Sequence, residues 1–434
     1  MQRTSIAFSI VHLLLVLPVI ASAAVTSTGI AASTDPLAQQ LLQKTWTVST
    51  VTLDTLEVHV AGNVFVDYDD SLNDQTSAKI VMRASKARLL DAVDVSDIDN
   101  GLRLRYKNQQ MHVESLVTTH ILLSKPNALR EVSATNSQNV VLGENVVENE
   151  NQAAGLHFST HGSGHIFVGA QTVDVRSVGV VVSGDGGVQF QASSLKIGEE
   201  LTVSLVGSGL VAVLAGKSFS ANKMEAAVAG TGKVFVQTPK LQAETLAAEI
   251  VGNGHITYEM SGVCGNEKIR LAGEGSVSAG SIACKNADVS ILGTGEAVVQ
   301  ATERLSTMLL LTGSVKYVNG RPKSIQTSGL VLESSIEPAE AVPKTEFTPA
   351  SPPSRVATGV FLTVEVANNN DNPYVHVRPV VETSMRLQNL SASLPESMSA
   401  LVLFEVAIVA MAFVAVSAFK FQQRRIRNKY QTLP

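Results

Sequence analysis

Gly162-Ser163-Gly164-His165-Ile166-Phe167-Val168 is the first full statement of a phrase that recurs through the middle of the chain. It returns as Gly184-Asp185-Gly186, Gly207-Ser208-Gly209, Gly230-Thr231-Gly232, Gly252-Asn253-Gly254, Gly273-Glu274-Gly275 and Gly293-Thr294-Gly295. Two degenerate copies flank these, with Asn136 and Leu311 in place of the first glycine. From Gly162 the spacings are 22, 23, 23, 22, 21, 20 and 18 residues, and self-similarity at this period marks a repeat fold.

The fourth residue after each leading position is Val140, Ile166, Val188, Val211, Val234, Ile256, Val277, Ala297 or Val315. The sixth is Leu142, Val168, Phe190, Val213, Val236, Tyr258, Ala279, Val299 or Tyr317, and two residues before each leading position stand Ala134, Thr160, Val182, Leu205, Val228, Ile250, Leu271, Ile291 and Leu309. Apolar residues two apart on both sides of a Gly-x-Gly predict strand, turn and strand with one face buried. A unit of about 21 residues cannot close a core alone, so each must stack on the next. The expectation is an all-β chain, a β-solenoid or parallel β-helix of about nine short coils. The glycines have a structural reason, because every coil turns where φ is positive and adjacent backbones crowd.

The Gly-Ser/Thr-Gly-x-Val-x-Val phrase closes with Val315-Lys316-Tyr317-Val318-Asn319-Gly320-Arg321-Pro322-Lys323. Phrase and closing Tyr-x-x-Gly-x-Pro together resemble the auto-transporter adhesin head domains of the head GIN family, over about residues 48–330. Upstream, Leu56, Val58, Val60, Val64 and Val66 alternate, and Leu102-Arg103-Leu104, Ile121-Leu122-Leu123 and Leu129 to Val132 lead into the first coil. The resemblance implies a β-helical surface domain with an adhesin-like role. Asn136 and Leu311 depart from the pattern.

The 434 residues carry a net charge of −5, which argues against a nucleic-acid partner. Aromatic content is 5%, with one Trp, which suits a thin solenoid interior. Arg3, the apolar run Ile6 to Ile20 and Ala21-Ser22-Ala23 read as a signal peptide over residues 1–23. Residues 400–419 form an apolar run of bilayer-spanning length with one ionisable group, Glu405, which reads as an edge residue near the outer boundary. Lys420, Arg424, Arg425, Arg427 and Lys429 follow, so the positive-inside rule places the tail, 420–434, in the cytosol and the solenoid outside. The expectation is a single-pass type I protein of the plasma or endosomal membrane. A lipid-anchor signal is the competing reading, but such a signal ends with its apolar stretch.

Cys264 and Cys284 lie 12 and 11 positions after the leading glycines of neighbouring coils. Coils stack at about 4.8 Å, a separation a disulfide accepts, so the two are expected to be bonded, with two free thiols as the alternative. Residues 331–358, with Pro338, Pro343, Pro349, Pro352 and Pro353, read as a semi-extended spacer in which Ser334, Thr345, Thr348 and Ser351 offer O-glycosylation sites. In the membrane-proximal segment, 359–399, Phe361 to Ala367 and Tyr374 to Val381 alternate about a polar loop and predict a hairpin. Asn389-Leu390-Ser391 is the one N-glycosylation sequon noted. Tyr430 and Leu433 fit the Tyr-x-x-hydrophobic pattern read by clathrin adaptors.

No catalytic, metal or cofactor site is expected. Every Gly-x-Gly is followed by strand rather than helix, which excludes a phosphate loop. His157, His161 and His165 are four apart but do not converge in strand geometry, and His255 repeats the position of His165 four coils away. Asp174, Asp185, Glu225, Glu249, Glu274 and Glu296 fall at different repeat positions, unlike the converging carboxylates of polysaccharide-cleaving β-helices. The third position varies as His165, Gly187, Leu210, Lys233, His255, Ser276, Glu296 and Ser314, as either a recognition surface or an unconstrained solvent face would. Three functions stand open: a non-enzymatic module that binds extracellular glycan or protein, a structural spacer without ligand, and a polysaccharide-acting enzyme.

Overall fold

The computed structural model describes residues 24–36, 38–49, 52–73, 75–329, 335–339, 347–367 and 373–380. Residues 1–23, read as a signal peptide, the apolar run 400–419, the tail, Asn389, Tyr430 and Leu433 all lie outside the described residues. Among the described residues no helix is long and apolar enough to cross a membrane.

The chain is an all-β solenoid of about nine turns. The strand that leaves one Gly-x-Gly does not stop after a few residues but runs on, bending at corners, to the next. Six such strands are His165–Gly184, Gly187–Gly207, Leu210–Gly230, Lys233–Gly252, His255–Gly273 and Ser276–Gly293. Each is hydrogen-bonded in parallel to the next, so equivalent residues stand above one another. Val140, Ile166, Val188, Val211, Val234, Ile256, Val277, Ala297 and Val315 are register partners in succession, and all are buried. The column from Ala134 to Leu309 behaves the same way, including Thr160, whose hydroxyl donates to the Gly164 carbonyl at 3.1 Å. Of the sixth-position residues only Tyr317, in the last coil, is incompletely covered.

The leading glycines hold the turn. Their φ values run from 101° at Gly162 to 143° at Gly293, and the two substitutes take the same region, Asn136 at 66° and Leu311 at 79°. Asn tolerates left-handed backbone better than Leu does, so the strain falls on Leu311. At Gly230 an added Cβ would stand 2.5 Å from the Gly207 carbonyl oxygen, which itself accepts from the N–H of Gly232 at 2.9 Å.

A third wall went unread in the sequence. Val175, Ile197, Ala221, Ala243, Cys264, Cys284 and Ala301 form a further buried column. Its register slips at the corner preceding it, between Leu214 and Phe219, Thr238 and Leu241, and Thr257 and Gly262. It slips again by one residue just after the wall, between Val175 and Ser177, Ile197 and Glu200, and Cys284 and Asn286, while the glycine corner stays in register. Cys264 and Cys284 are bonded as expected, with Cα atoms 4.4 Å apart, inside the stack rather than on it.

The N-terminal end is closed by antiparallel strands. Leu42–Ser49 pairs with Ala78–Ala84, which pairs with Met111–Leu123, and the helix Ala87–Ala92 buries Leu89, Leu90 and Ala92. The stretch Thr55–Val58 and Asn63–Tyr68 forms a coil of its own beneath the first, with Val64 on Val140.

Two measurements check this account. Gly230→Ala meets both positive φ and a backbone oxygen, whereas Gly162→Ala meets the φ alone, with no atom within 4 Å. Chemical denaturation should show a loss of about 3 kcal/mol or more for the first and about 1 kcal/mol for the second. Cys284→Ala should cost about 3 kcal/mol, because the bond closes a loop with a sequence separation of 20, and the melting temperature of the reduced protein should fall in parallel.

Candidate functional site

Alternation along the strand after each turn puts the fourth and sixth positions inside and the third and fifth outside. The fifth-position column is Phe167, Gln189, Ala212, Phe235, Thr257, Ser278 and Val298. An outward column should be wet, yet Gln189, Ala212 and Thr257 are buried. What covers it is the proline-containing segment.

Residues 331–358 were read as a semi-extended spacer, and their described parts lie along the coils. Ile336–Pro338 pairs in parallel with Ser314–Tyr317 on the last coil. The Phe347 ring stacks on Phe235, with centroids 4.9 Å apart, and the Phe347 N–H donates to Gln237 Oε1 at 3.0 Å and to Glu259 Oε2 at 3.3 Å. Gln189 reads the next stop: its Nε2 donates to the Ala350 carbonyl at 3.0 Å and its Oε1 accepts the Ala350 N–H at 2.9 Å. Ala212, in register between Gln189 and Phe235, is fully buried. Further along, Arg355 makes a forked ion pair with Asp67 and lies over the Phe65 ring at 5.2 Å.

The strap ends in the expected hairpin. Thr358–Glu365 pairs antiparallel with Tyr374–Pro379 and also with Met111–Val117 of the N-terminal cap. The described parts of the segment thus lie on the last coil, on the outside of the middle coils and at the N-terminal cap. The physical reason is that proline removes donors without preventing extended backbone, and the remaining N–H groups find glutamine and glutamate acceptors on the coils.

Beside the strap runs an open groove of about 510 Å³ at the corner where coil length varies. Ala170, Gln191, Ala215, Gln237 and Met260 line it, and Pro349 of the strap forms part of its wall. Met260 holds φ at 80° and is 52% exposed.

The residues singled out for chemistry do not converge. Asp174 pairs with Lys196 at 2.9 Å, Glu249 with Arg270 at 2.9 Å, Glu296 with Lys316 at 2.6 Å, and Glu225 with Lys223. Three of these four join neighbouring coils, two of them at equivalent positions, Asp174 with Lys196 and Glu249 with Arg270; such exposed pairs contribute little stability. Glu274 accepts from Asn253 at 3.3 Å. His255 Nδ1 lies 2.8 Å from Ser276 Oγ in the third-position column, and His165 packs against Phe167. Among the described residues no three His, Cys, Asp or Glu groups are placed to hold a metal.

One buried acid has no counterpart in the sequence reading. Glu267 occupies the inner column between Leu246 and Ala287, is 2% exposed, and neither carboxylate oxygen has a hydrogen-bond partner among the described residues. Burial pushes its carboxyl up to about 8.

Residues 221–322 match the family described as "Putative auto-transporter adhesin, head GIN domain". The head GIN match covers the later coils and ends at the Tyr-x-x-Gly-x-Pro closing motif. No curated protein matches the chain. Among solved structures, an adhesin described as putative from Parabacteroides distasonis is similar at 14% identity and a TM-score of 0.38, covering 69% of this chain and 97% of its own. A second such adhesin, from Parabacteroides merdae, has 14% identity and a TM-score of 0.35, covering 69% and 96%. A Parabacteroides distasonis protein titled as a putative lipid binding protein has 15% identity and a TM-score of 0.35, covering 74% and 98%.

The Gln189, Phe235 and Gln237 contacts, the Arg355 and Asp67 pair and Glu267 were all missed from sequence. The first three recur at fixed offsets from the leading glycine, which was the available signal. Arg355 and Asp67 are 288 residues apart, and nothing local links them.

The folded Glu267 carboxyl titrates near 8 against an ordinary 4.5, so the folded state holds its proton longer. Stability is full below about pH 4.5, falls as pH rises from there to about 8, and levels off beyond. The expected decline is several kcal/mol, and Glu267→Gln should flatten that part of the profile in denaturation measured from pH 4 to 9.

Proposed function

We propose that this protein is a non-enzymatic, adhesin-like binding module that presents its solenoid on the outside of a membrane. The carrying observation is the in-register stack, which turns each outward repeat position into a straight, rigid column about one strand spacing per step. The head GIN match over residues 221–322 supports a surface role. In this reading residues 400–419 anchor the chain once in the plasma or an endosomal membrane, the partner is an extracellular glycan or protein, and Tyr430 and Leu433 engage a clathrin adaptor.

Tyr374–Pro379 lies at the N-terminal cap, so the chain leaves the described rod at that end on its way to residues 400–419.

The test displays the full chain on cells and measures adhesion to glycan arrays and to other cells. Lys233→Glu with His255→Asp, in the third-position column, should lower binding roughly tenfold while leaving surface level unchanged, as loss of one or two interface contacts does. Equal adhesion by the variant would place the partner on another face.

A further inference from the structure

We propose that the outward face holding residues 347–358 is a peptide-binding site, occupied in this chain by its own strap, and that its partner is an extended segment of another protein carrying an aromatic residue and, eight positions on, an arginine. This deepens the surface-binding reading and rests on it. The observation behind it is the kind of contact the coils make. Gln189 pairs both the N–H and the carbonyl of Ala350, and Gln237 and Glu259 accept the Phe347 N–H, so the face reads main chain rather than side chain. Any extended peptide supplies that pattern, whereas a glycan offers hydroxyls without the paired donor and acceptor of a peptide unit.

Two side-chain anchors bracket the main-chain contacts. Phe235 is a shelf for an aromatic ring, and Asp67 with Phe65 takes a guanidinium by a forked ion pair and the ring face together. Between the anchors the strap has few points of attachment: Ser351, Pro352 and Ser354 are exposed. A segment held at a few points and otherwise wet opens at low free energy. The groove beside Pro349 leaves room on the same face for a bulkier chain than the strap.

Tethering makes the strap a competitor at an effective concentration of about millimolar, so a peptide in trans meets a closed site unless the strap is weakened. The experiment uses the full chain and a fluorescent synthetic peptide with the sequence of residues 347–358. In Phe347→Ala with Arg355→Ala, anisotropy should show saturable binding at least about tenfold tighter than to the unsubstituted chain. Adding Asp67→Ala and Gln189→Ala to that variant should abolish it. Should the double variant not fold, Phe347→Ala alone carries the test, with an expected gain of about threefold.

No saturable binding to a variant that keeps the parent melting curve would overturn the proposal. So would a shift of the unsubstituted chain to a dimer that the peptide dissociates, because the site would then serve exchange of straps between copies. Cell adhesion is read in parallel. Adhesion that persists while the peptide neither binds nor competes overturns the peptide site alone, whereas peptide binding without adhesion keeps the site and removes the surface-adhesion reading.

Discussion

Backbone meeting backbone at one corner organises this molecule. From Gly184 to Gly293 an added Cβ at each leading glycine would stand 2.2 to 2.7 Å from the carbonyl oxygen of the leading glycine one coil before. No side chain fits there, and the same carbonyls accept hydrogen bonds from the following turn. The coils are thereby held at a common azimuth, and valines and isoleucines twenty-odd residues apart become neighbours. Burial of each is worth roughly 1.5 to 3 kcal/mol, but only if that alignment holds along the stack.

A rigid corner needs a compliant one. From Gly230 on the coils shorten, and most of the difference is absorbed where the register slips, between residues such as Leu214 and Phe219 or Thr257 and Gly262. There the wall is made of alanines, glutamines and a strained Met260, and there the groove opens. Packing regularity and surface variety are thus separated onto different corners of the same coil, which lets one face change without loosening the core.

The strap gives the outward face a second function besides contact with solvent. Running from Ile336–Pro338 on the last coil to the hairpin on the cap, it spans the stack lengthwise and ties coils that otherwise touch only their neighbours. A solenoid is close to one-dimensional, so such a tie couples ends that would fray independently. Glu267 acts in the opposite sense, as a carboxyl placed in an apolar column, where burial favours its protonated form.

The repeat made the stack legible: the leading glycines and the three apolar columns follow from residues at constant offsets, and the pairing of Cys264 with Cys284 from offsets of 12 and 11 in neighbouring coils. The third wall was hidden because coil length drifts before it, so Ala221, Cys264 and Ala301 stand 14, 12 and 8 positions after their glycines and lose a common phase. Glu267 was hidden because an acid in a strand reads as outward unless the column it joins is known. The strap was hidden most completely, since proline and serine composition sets backbone extension but says nothing of where an extended chain lies. That was decided in three dimensions, where Gln189, Phe235 and Asp67 are brought onto one face by stacking and meet Ala350, Phe347 and Arg355 from the far end of the domain.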